Sequence, residues 1–158
     1  MPYVIDGNNL IGFSPDIEYD APDSRIRLID LIKKYQSVKK NNIILVFDGE
    51  PENGPHYQKY SNKFRIIYPN YGESADEVIK KLLNEFSTLN DVMVITSDRE
   101  LKQYAKDKGA KVINSIEFYH EVKRFAKFYK KKKMSDKRIN IKLSEKEVDN
   151  WLKIFNKD

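Results

Sequence analysis

Short apolar runs alternate along the chain with longer stretches whose apolar residues recur every three or four positions. The short runs are typical of buried strands, because a strand covered on both faces has no polar side. The longer stretches are typical of helices that bury one stripe of side chains. Five strands are predicted, at residues 3–5, 43–47, 64–68, 92–96 and 111–114. Four helices are predicted between and after them, at residues 24–39, 74–86, 97–108 and 115–131.

Polar residues at the predicted helix ends support these assignments. Ser74 is followed by Glu77 at the spacing of a capping box, in which two side chains satisfy free amide groups of the first turn. Ser97 and Glu100 repeat that spacing, and Gly109 is a typical helix terminator. Residues 7–9 favour a turn, and residues 49–63 are polar with Gly and Pro, which indicates a long exposed loop.

The alternation of strands and helices predicts an α/β protein with a three-layer α/β/α fold around a mainly parallel central sheet of about five strands. Right-handed crossovers place helices on both faces of such a sheet. We assign residues 1–133 to the main domain and residues 134–143 to an extended connector. Ser144 and Glu147 then begin an amphipathic helix. We expect residues 134–158, connector and helix together, to dock on the same domain.

The composition limits the chemistry that the protein can perform. The chain has 158 residues, no cysteine and two histidines, His56 and His120. Disulfide scaffolds, thiolate nucleophiles and cysteine-based zinc sites are therefore excluded. No apolar run approaches the roughly 18 residues of a membrane span. The N-terminus lacks the pattern of a secretory signal, so we expect a cytoplasmic protein with no membrane partner.

Charge is distributed unevenly along the chain, whose formal net charge is +5. Residues 1–114 carry 16 Lys and Arg against 17 Asp and Glu, whereas residues 115–158 carry 13 against 7. A basic C-terminal third favours an anionic partner, with nucleic acid first. A solvated helix face would have the same composition, so charge alone leaves both interpretations open.

Four aspartates lie where predicted strands end or the following helices begin. Asp6 and Asp48 directly follow strands, Asp98 lies two residues beyond one, and Asp76 is in a first helical turn. Because parallel strands open their carboxyl ends on one edge, we expect the four to converge. Each has a structural explanation when taken singly, since Asp-Gly is a common turn and an acidic first turn gains about 0.3–1 kcal/mol from the helix dipole.

Crowded carboxylates repel one another, and a divalent cation relieves that repulsion. Oxygen ligands with almost no histidine favour Mg²⁺ or Mn²⁺, as one or two ions. Such an ion polarises a phosphodiester and activates water for its hydrolysis. Asn8 is placed to orient a water or a phosphate oxygen at the same edge.

Four motifs at these positions resemble those of one known family. They are Tyr3-Val-Ile-Asp-Gly-Asn-Asn-Leu10, Val46-Phe-Asp-Gly49, Gly72-Glu-Ser-Ala-Asp-Glu77 and Val94-Ile-Thr-Ser-Asp98. In their order and spacing the chain is similar, over residues 3–125, to the NYN domains of the YacP-like group, which are PIN-like nucleases. Residues 143–152 also resemble the closing helix of that family.

The resemblance implies a PIN-like fold and a metal-dependent endoribonuclease that hydrolyses RNA phosphodiester bonds, in mRNA decay or RNA processing. The family's catalytic and metal-binding acids match Asp6, Asp76 and Asp98. Asn8 matches the polar catalytic residue two positions after the first acid. Asp48 is a further candidate metal ligand, with a partner of the ligands and a turn former as the alternatives.

Aromatic and basic residues near these motifs are candidate RNA contacts, because bases stack on aromatic rings and phosphates attract cations. The expected partner is RNA, and whether it is mRNA presented on a ribosome stays open. We expect a monomer or a weak dimer. Ordinary loop packing and ion pairing are the structural alternatives for these candidates, which are Tyr57, Lys59, Tyr60, Tyr71 and Arg99.

Three other functions stay open at this point. One is a non-catalytic RNA-binding module that keeps a relic of the acidic site, and another is a structure-specific DNA nuclease. The third is an aspartyl-phosphate phosphatase, which needs a second aspartate two residues after a strand-end aspartate. Here Asp6 is followed by Asn8, and Asp48 by Glu50, which argues against that chemistry.

Overall fold

A computed structural model describes the backbone of residues 1–155 and the side chains of residues 1–135. The strands are β1 (Tyr3–Asp6), β2 (Ile43–Val46), β3 (Tyr57–Ser61), β4 (Phe64–Ile67), β5 (Met93–Ile95) and β6 (Lys111–Ile113). The helices are α1 (Gly7–Gly12), α2 (Ser24–Lys39), α3 (Ala75–Glu85), α4 (Arg99–Asp107) and α5 (Ser115–Phe155).

The strands form one six-stranded sheet in the order β3-β4-β2-β1-β5-β6. All neighbouring strands are parallel except β3, which runs antiparallel to β4 at one edge. In the centre of the sheet, Tyr3 lies opposite Ile43 on one side and Met93 on the other. The prediction of a mainly parallel α/β sheet is confirmed, and the carboxyl ends of β1, β2 and β5 open on the same edge.

The sheet is covered on both faces, which confirms the three-layer arrangement. On one face, side chains of α1, α2 and α5 pack against alternate residues of the central strands, such as Tyr3 and Ile5. On the other face, α3 and α4 pack against the residues between them, such as Val4 and Val94. Burial on both faces explains why the central strands read as continuous apolar runs.

The structure corrects the prediction that residues 49–63 are only a loop, because β3 lies within them. Its residues are mostly exposed and polar, so they carry no apolar period that could reveal a strand. The strand forms instead because its backbone pairs with β4. The pairing runs from Tyr57 opposite Ile67 to Ser61 opposite Phe64. The sheet therefore has six strands rather than about five.

A helix also replaces the turn that was predicted at residues 7–9, because α1 begins directly after β1. The Asp6 carboxylate accepts a hydrogen bond from the Asn9 amide at 3.4 Å and caps this helix. No residue but glycine fits at its start, since a Cβ on Gly7 would lie 2.7 Å from the Phe47 ring and 2.9 Å from the Val46 carbonyl oxygen. The tight junction brings α1 close to β2.

Two further predictions about helix ends are corrected. Asp98, not Ser97, caps α4, because its carboxylate accepts the Leu101 amide at 2.9 Å. The extended connector predicted at residues 134–143 is wrong, because α5 continues to Phe155. Residues 115–158 contain no Gly or Pro that would end a helix. The side chains beyond residue 135 lie outside the described residues, so docking of residues 134–158 stays a prediction.

Ser74 caps α3 as predicted, since its hydroxyl accepts the Glu77 amide at 3.2 Å. Gly109, two residues after the end of α4, adopts a φ of +97°, which explains why that helix ends there. Within the described residues, no helix is both long and apolar enough to cross a membrane.

Candidate active site

The four predicted aspartates line one cavity of about 350 Å³ at the carboxyl edge of the sheet. Asp6 ends β1, Asp48 follows β2, Asp76 is in the first turn of α3 and Asp98 caps α4. The structure thus brings together four acids that are up to 92 residues apart in the chain. Among the described residues, the full lining is Asp6, Asn8, Asn9, Gly12, Phe13, Tyr19, Asp48, Asp76 and Asp98.

Asp6 is the most buried of the four aspartates, with 5% of its surface exposed. Burial raises the pKa of its carboxyl to about 6, and the nearby Asp76 and Asp48 carboxylates add to the rise. Hydrogen bonds from the Asn9 amide and the Thr96 hydroxyl, the latter at 3.1 Å, act in the opposite direction. Asp6 is therefore a carboxylate that is costly to keep ionised without a neighbouring cation.

Thr96 connects Asp6 to Asp98. Its hydroxyl is fully buried, donates to Asp6 and accepts the backbone amide of Asp98 at 3.1 Å. Asp98 commits one carboxylate oxygen to its capping bond with Leu101. Asp98 therefore does cap a helix, as its position in the sequence suggested. Because Asp98 also lines the cavity, its second carboxylate oxygen can take another role there.

Asp76 has no such capping role, because Ser74 already caps α3. Its side chain is partly buried beside the cavity. Burial raises the pKa of its carboxyl, and the Asp98 and Asp48 carboxylates raise it further. These pKa shifts are the electrostatic sign that the acids share one space.

Asp48 makes three hydrogen bonds that hold neighbouring parts of the site together. One of its carboxylate oxygens accepts the Ala75 amide at 2.9 Å, next to Asp76. Its own amide donates to the Asn8 side chain at 2.8 Å, and its carbonyl oxygen accepts from Arg25 at 2.5 Å. Of the three roles predicted for Asp48, these bonds favour a residue that positions its neighbours.

The two asparagines of α1 line the cavity, and their side-chain oxygens accept hydrogen bonds from other parts of the fold. The Asn8 side-chain oxygen already accepts the Asp48 amide. The Asn9 side-chain oxygen accepts two donors, the Ser97 amide at 2.8 Å and the Ser115 hydroxyl at 2.6 Å. Because a side-chain amide has one oxygen and one NH₂ group, these bonds determine which end remains to donate to a ligand.

Sequence reasoning did not identify Asn9, Phe13 and Tyr19 as lining residues. Asn9 stands directly after Asn8, and the aromatic pair follows α1 in a stretch that is otherwise rich in polar residues, Gly and Pro. Two aromatic residues in such a stretch are the signal that could have drawn attention to this loop.

The predicted RNA contacts are not among the residues that line the cavity. Tyr57, Lys59 and Tyr60 belong to the edge strand β3, and the Tyr60 ring packs against Phe64 with 5.6 Å between ring centroids. Tyr71 is 95% exposed in the loop before α3. Arg99, the first residue of α4, is exposed beside Asp98.

The donor set fits a hard divalent cation, although the present arrangement does not close around one. The described lining carries four carboxylates and neither Lys nor Arg. Carboxylate oxygens are the ligands of Mg²⁺ and Mn²⁺. Within residues 1–135, however, no group of three His, Cys, Asp or Glu side chains could hold a metal ion as it stands.

Comparisons with known proteins show the family to which this fold belongs. The YacP-like NYN domain model matches residues 3–156. "Uncharacterized protein YacP" of Bacillus subtilis (strain 168) is 30% identical in an alignment of 126 positions, which covers 75% of this chain and 73% of that protein.

Two solved structures are also similar to this chain. The crystal structure of Rae1 (YacP) from Bacillus subtilis has a TM-score of 0.70 and 30% identity, and covers 97% of this chain and 93% of its own. A structure of a single-substitution mutant of the same protein has a TM-score of 0.65 and 26% identity, over 80% of this chain and 77% of its own. The chain therefore belongs to the YacP-like NYN domain family, a family of PIN-like nucleases.

Proposed function

We propose that this protein is a metal-dependent endoribonuclease whose active site is the acidic cavity at the carboxyl edge of the sheet. The observation that carries the proposal is the meeting of four carboxylates around one cavity whose described lining has no basic side chain. A group of like charges in a partly buried space needs a cation, and nucleases use such cations to cut phosphodiester bonds.

Asp6, Asp76 and Asp98 are the residues that would hold Mg²⁺ or Mn²⁺, as one or two ions. When bound, the metal would supply Lewis-acid activation of the phosphodiester and of the attacking water. Small movements of these side chains toward an ion would be needed, since they do not enclose one here. We assign Asp48 to holding the first turn of α3, and with it Asp76, in position.

Asn8 and Asn9 would donate their free NH₂ groups to non-bridging oxygens of the bound phosphate. Their side-chain oxygens are already occupied, so they act as donors rather than as metal ligands. The fixed orientation of both amides means that little side-chain entropy is lost when the phosphate binds.

An anionic substrate must also overcome the negative charge of the cavity. Residues 115–158 carry six more basic than acidic residues, and such an excess attracts a phosphate backbone without regard to sequence. Contacts farther along the RNA are proposed for five residues outside the lining, Tyr57, Lys59, Tyr60, Tyr71 and Arg99. The proposed substrates include mRNA on a ribosome.

The strongest competing function is RNA binding without cleavage. It is favoured by the same finding that no three acidic side chains of the described part are arranged to hold a metal. A DNA nuclease would use the same cavity, so the sugar preference has to be measured directly.

One assay separates these functions. Structured and unstructured RNA and DNA are incubated with the protein in EDTA, Mg²⁺ or Mn²⁺, and cut ends are mapped. We expect internal cuts in RNA with either metal and none in EDTA. RNA binding without metal-stimulated cuts would establish the non-catalytic module, and faster cutting of DNA would establish the DNA nuclease.

Matched variants test the site itself. Asp76→Asn and Asp98→Asn each remove one charge from the cavity, and Asn caps a helix as well as Asp does, so α4 keeps its cap. Asp91→Asn makes the same chemical change at an exposed position before β5. We expect the first two to lose at least 100-fold in cleavage rate and the control to cut like the parent protein.

A further inference from the structure

Two exposed aromatic rings stand at the rim of the acidic cavity. Phe13 and Tyr19 belong to the segment between α1 and α2, line the cavity, and expose 43% and 52% of their surfaces. The Tyr19 ring lies over Gly12, where a Cβ would come within 3.9 Å of it. The Tyr19 ring therefore lies close to the backbone at the end of α1.

The segment that carries the rings is anchored, so their exposure is part of the fold. Ile17 is buried in the core, and the Ser14 hydroxyl is buried and donates to the Leu10 carbonyl oxygen at 2.6 Å. Asp16 accepts the Tyr119 hydroxyl at 2.6 Å and forms an ion pair with Lys123 at 2.6 Å. The residues between the two rings are thus tied to α1 and α5.

The charge of the cavity determines what kind of contact can hold an RNA strand there. Coulomb attraction is lacking at this point, because the described lining contains carboxylates and no Lys or Arg. Stacking of bases on aromatic rings does not depend on charge and contributes about 1–3 kcal/mol per base. A ring can stack only on a base whose face is free, which excludes a base inside a duplex.

We propose that Phe13 and Tyr19 form a stacking platform for unpaired bases next to the phosphodiester bond that is cut. The inference rests on the proposed function and adds two residues that would hold the substrate beside the cut bond. It also assigns the specificity for unpaired bases to the segment between α1 and α2 rather than to the edge strand β3.

Side-chain pairs of matched size test the platform. Phe13→Leu and Tyr19→Leu keep apolar bulk and remove the flat ring, whereas Tyr19→Phe keeps the ring. Phe128→Ala removes an aromatic ring of similar exposure, 56%, from α5 and serves as the control. Affinity for a fluorescent single-stranded RNA is measured by anisotropy in EDTA, and KM and kcat are measured with metal.

We expect each Leu variant to weaken binding and raise KM by roughly tenfold, with kcat changed less than threefold. Tyr19→Phe and Phe128→Ala should behave like the parent protein. An RNA with abasic nucleotides on both sides of the cut bond should bind the parent and the Leu variants equally. A duplex that covers the same site should be a poor substrate.

Binding by both Leu variants within twofold of the parent would overturn the platform, as would an equal loss on the abasic RNA. Those results would leave the nuclease assignment intact if the parent still cuts RNA with metal. Conversely, base-dependent loss of binding in EDTA would support the platform even if no RNA were cut, which would refute only the proposed chemistry.

Discussion

Replacement of Asp6 by Asn should make the protein more stable at neutral pH. Asp6 is almost completely buried, and its pKa is raised from 3.8 to about 6, chiefly by burial. Since one pKa unit corresponds to about 1.4 kcal/mol, the ionised carboxylate costs the folded state up to about 3 kcal/mol at pH 7. Asn removes that charge while its oxygen can still accept the Asn9 amide.

The sign of the pH dependence follows from the direction of the shift. The folded protein binds the Asp6 proton more tightly than the unfolded chain, so the parent loses stability as pH rises from about 4 to about 6. Below pH 4 the carboxyl is protonated in both states and the cost disappears. We expect the advantage of Asp6→Asn to be about 1–3 kcal/mol at pH 7, with the lower value if the Thr96 bond is weakened.

Urea denaturation in EDTA at pH 3.5, 5 and 7 measures this advantage directly, with Asp91→Asn as the control. The midpoint of Asp6→Asn should exceed that of the parent at pH 7 and approach it at pH 3.5, with the same slope m. The reasoning would be refuted if Asp6→Asn were less stable than the parent at pH 7, or if the difference did not change with pH.

Three further changes probe how the site is built. Gly7→Ala should destabilise the protein by about 1–3 kcal/mol, as measured by urea denaturation, because the new Cβ would overlap the Phe47 ring; full stability would contradict the close approach. The Arg25 guanidinium donates to the carbonyl oxygens of Glu50 and Asp48, and the lysine of Arg25→Lys lacks a planar group that could bond both. Metal-dependent cleavage should therefore fall several-fold, while the melting temperature drops by only a few degrees. Unchanged cleavage would show that these two bonds have no effect on the site. Ser115→Ala removes a 2.6 Å bond to the Asn9 side chain and should lower kcat more than it raises KM; a pure KM effect would contradict a positioning role.

Much of the fold can be predicted from the sequence, because strands that are buried on both faces are apolar at every position. Ile43–Val46 is apolar throughout, and its place between two parallel neighbours requires that. The convergence of the aspartates also follows from topology, since residues after parallel strands share an edge wherever they occur in the chain.

The features that sequence reasoning missed depend on contacts that have no local pattern. Strand β3 forms by pairing its backbone with β4, although its side chains are polar and exposed. The Asn9 side chain is held by hydrogen bonds from Ser97 and Ser115, which lie 88 and 106 residues away along the chain. A helix through residues 134–143 was missed because polar residues favoured a connector, whereas the lack of Gly and Pro permits the helix.

Simultaneous measurement of metal binding and RNA cleavage shows whether the acidic cavity holds the metal that cuts RNA. Mn²⁺ is titrated into the protein, bound metal is followed by electron paramagnetic resonance, and the cleavage rate of one RNA is followed in the same samples. If Asp76 holds the catalytic metal, both signals rise with one midpoint in the parent and in Asp91→Asn, and both are lost in Asp76→Asn. Cleavage that persists in EDTA, or an Asp76→Asn variant that binds Mn²⁺ and cuts like the parent, would contradict it.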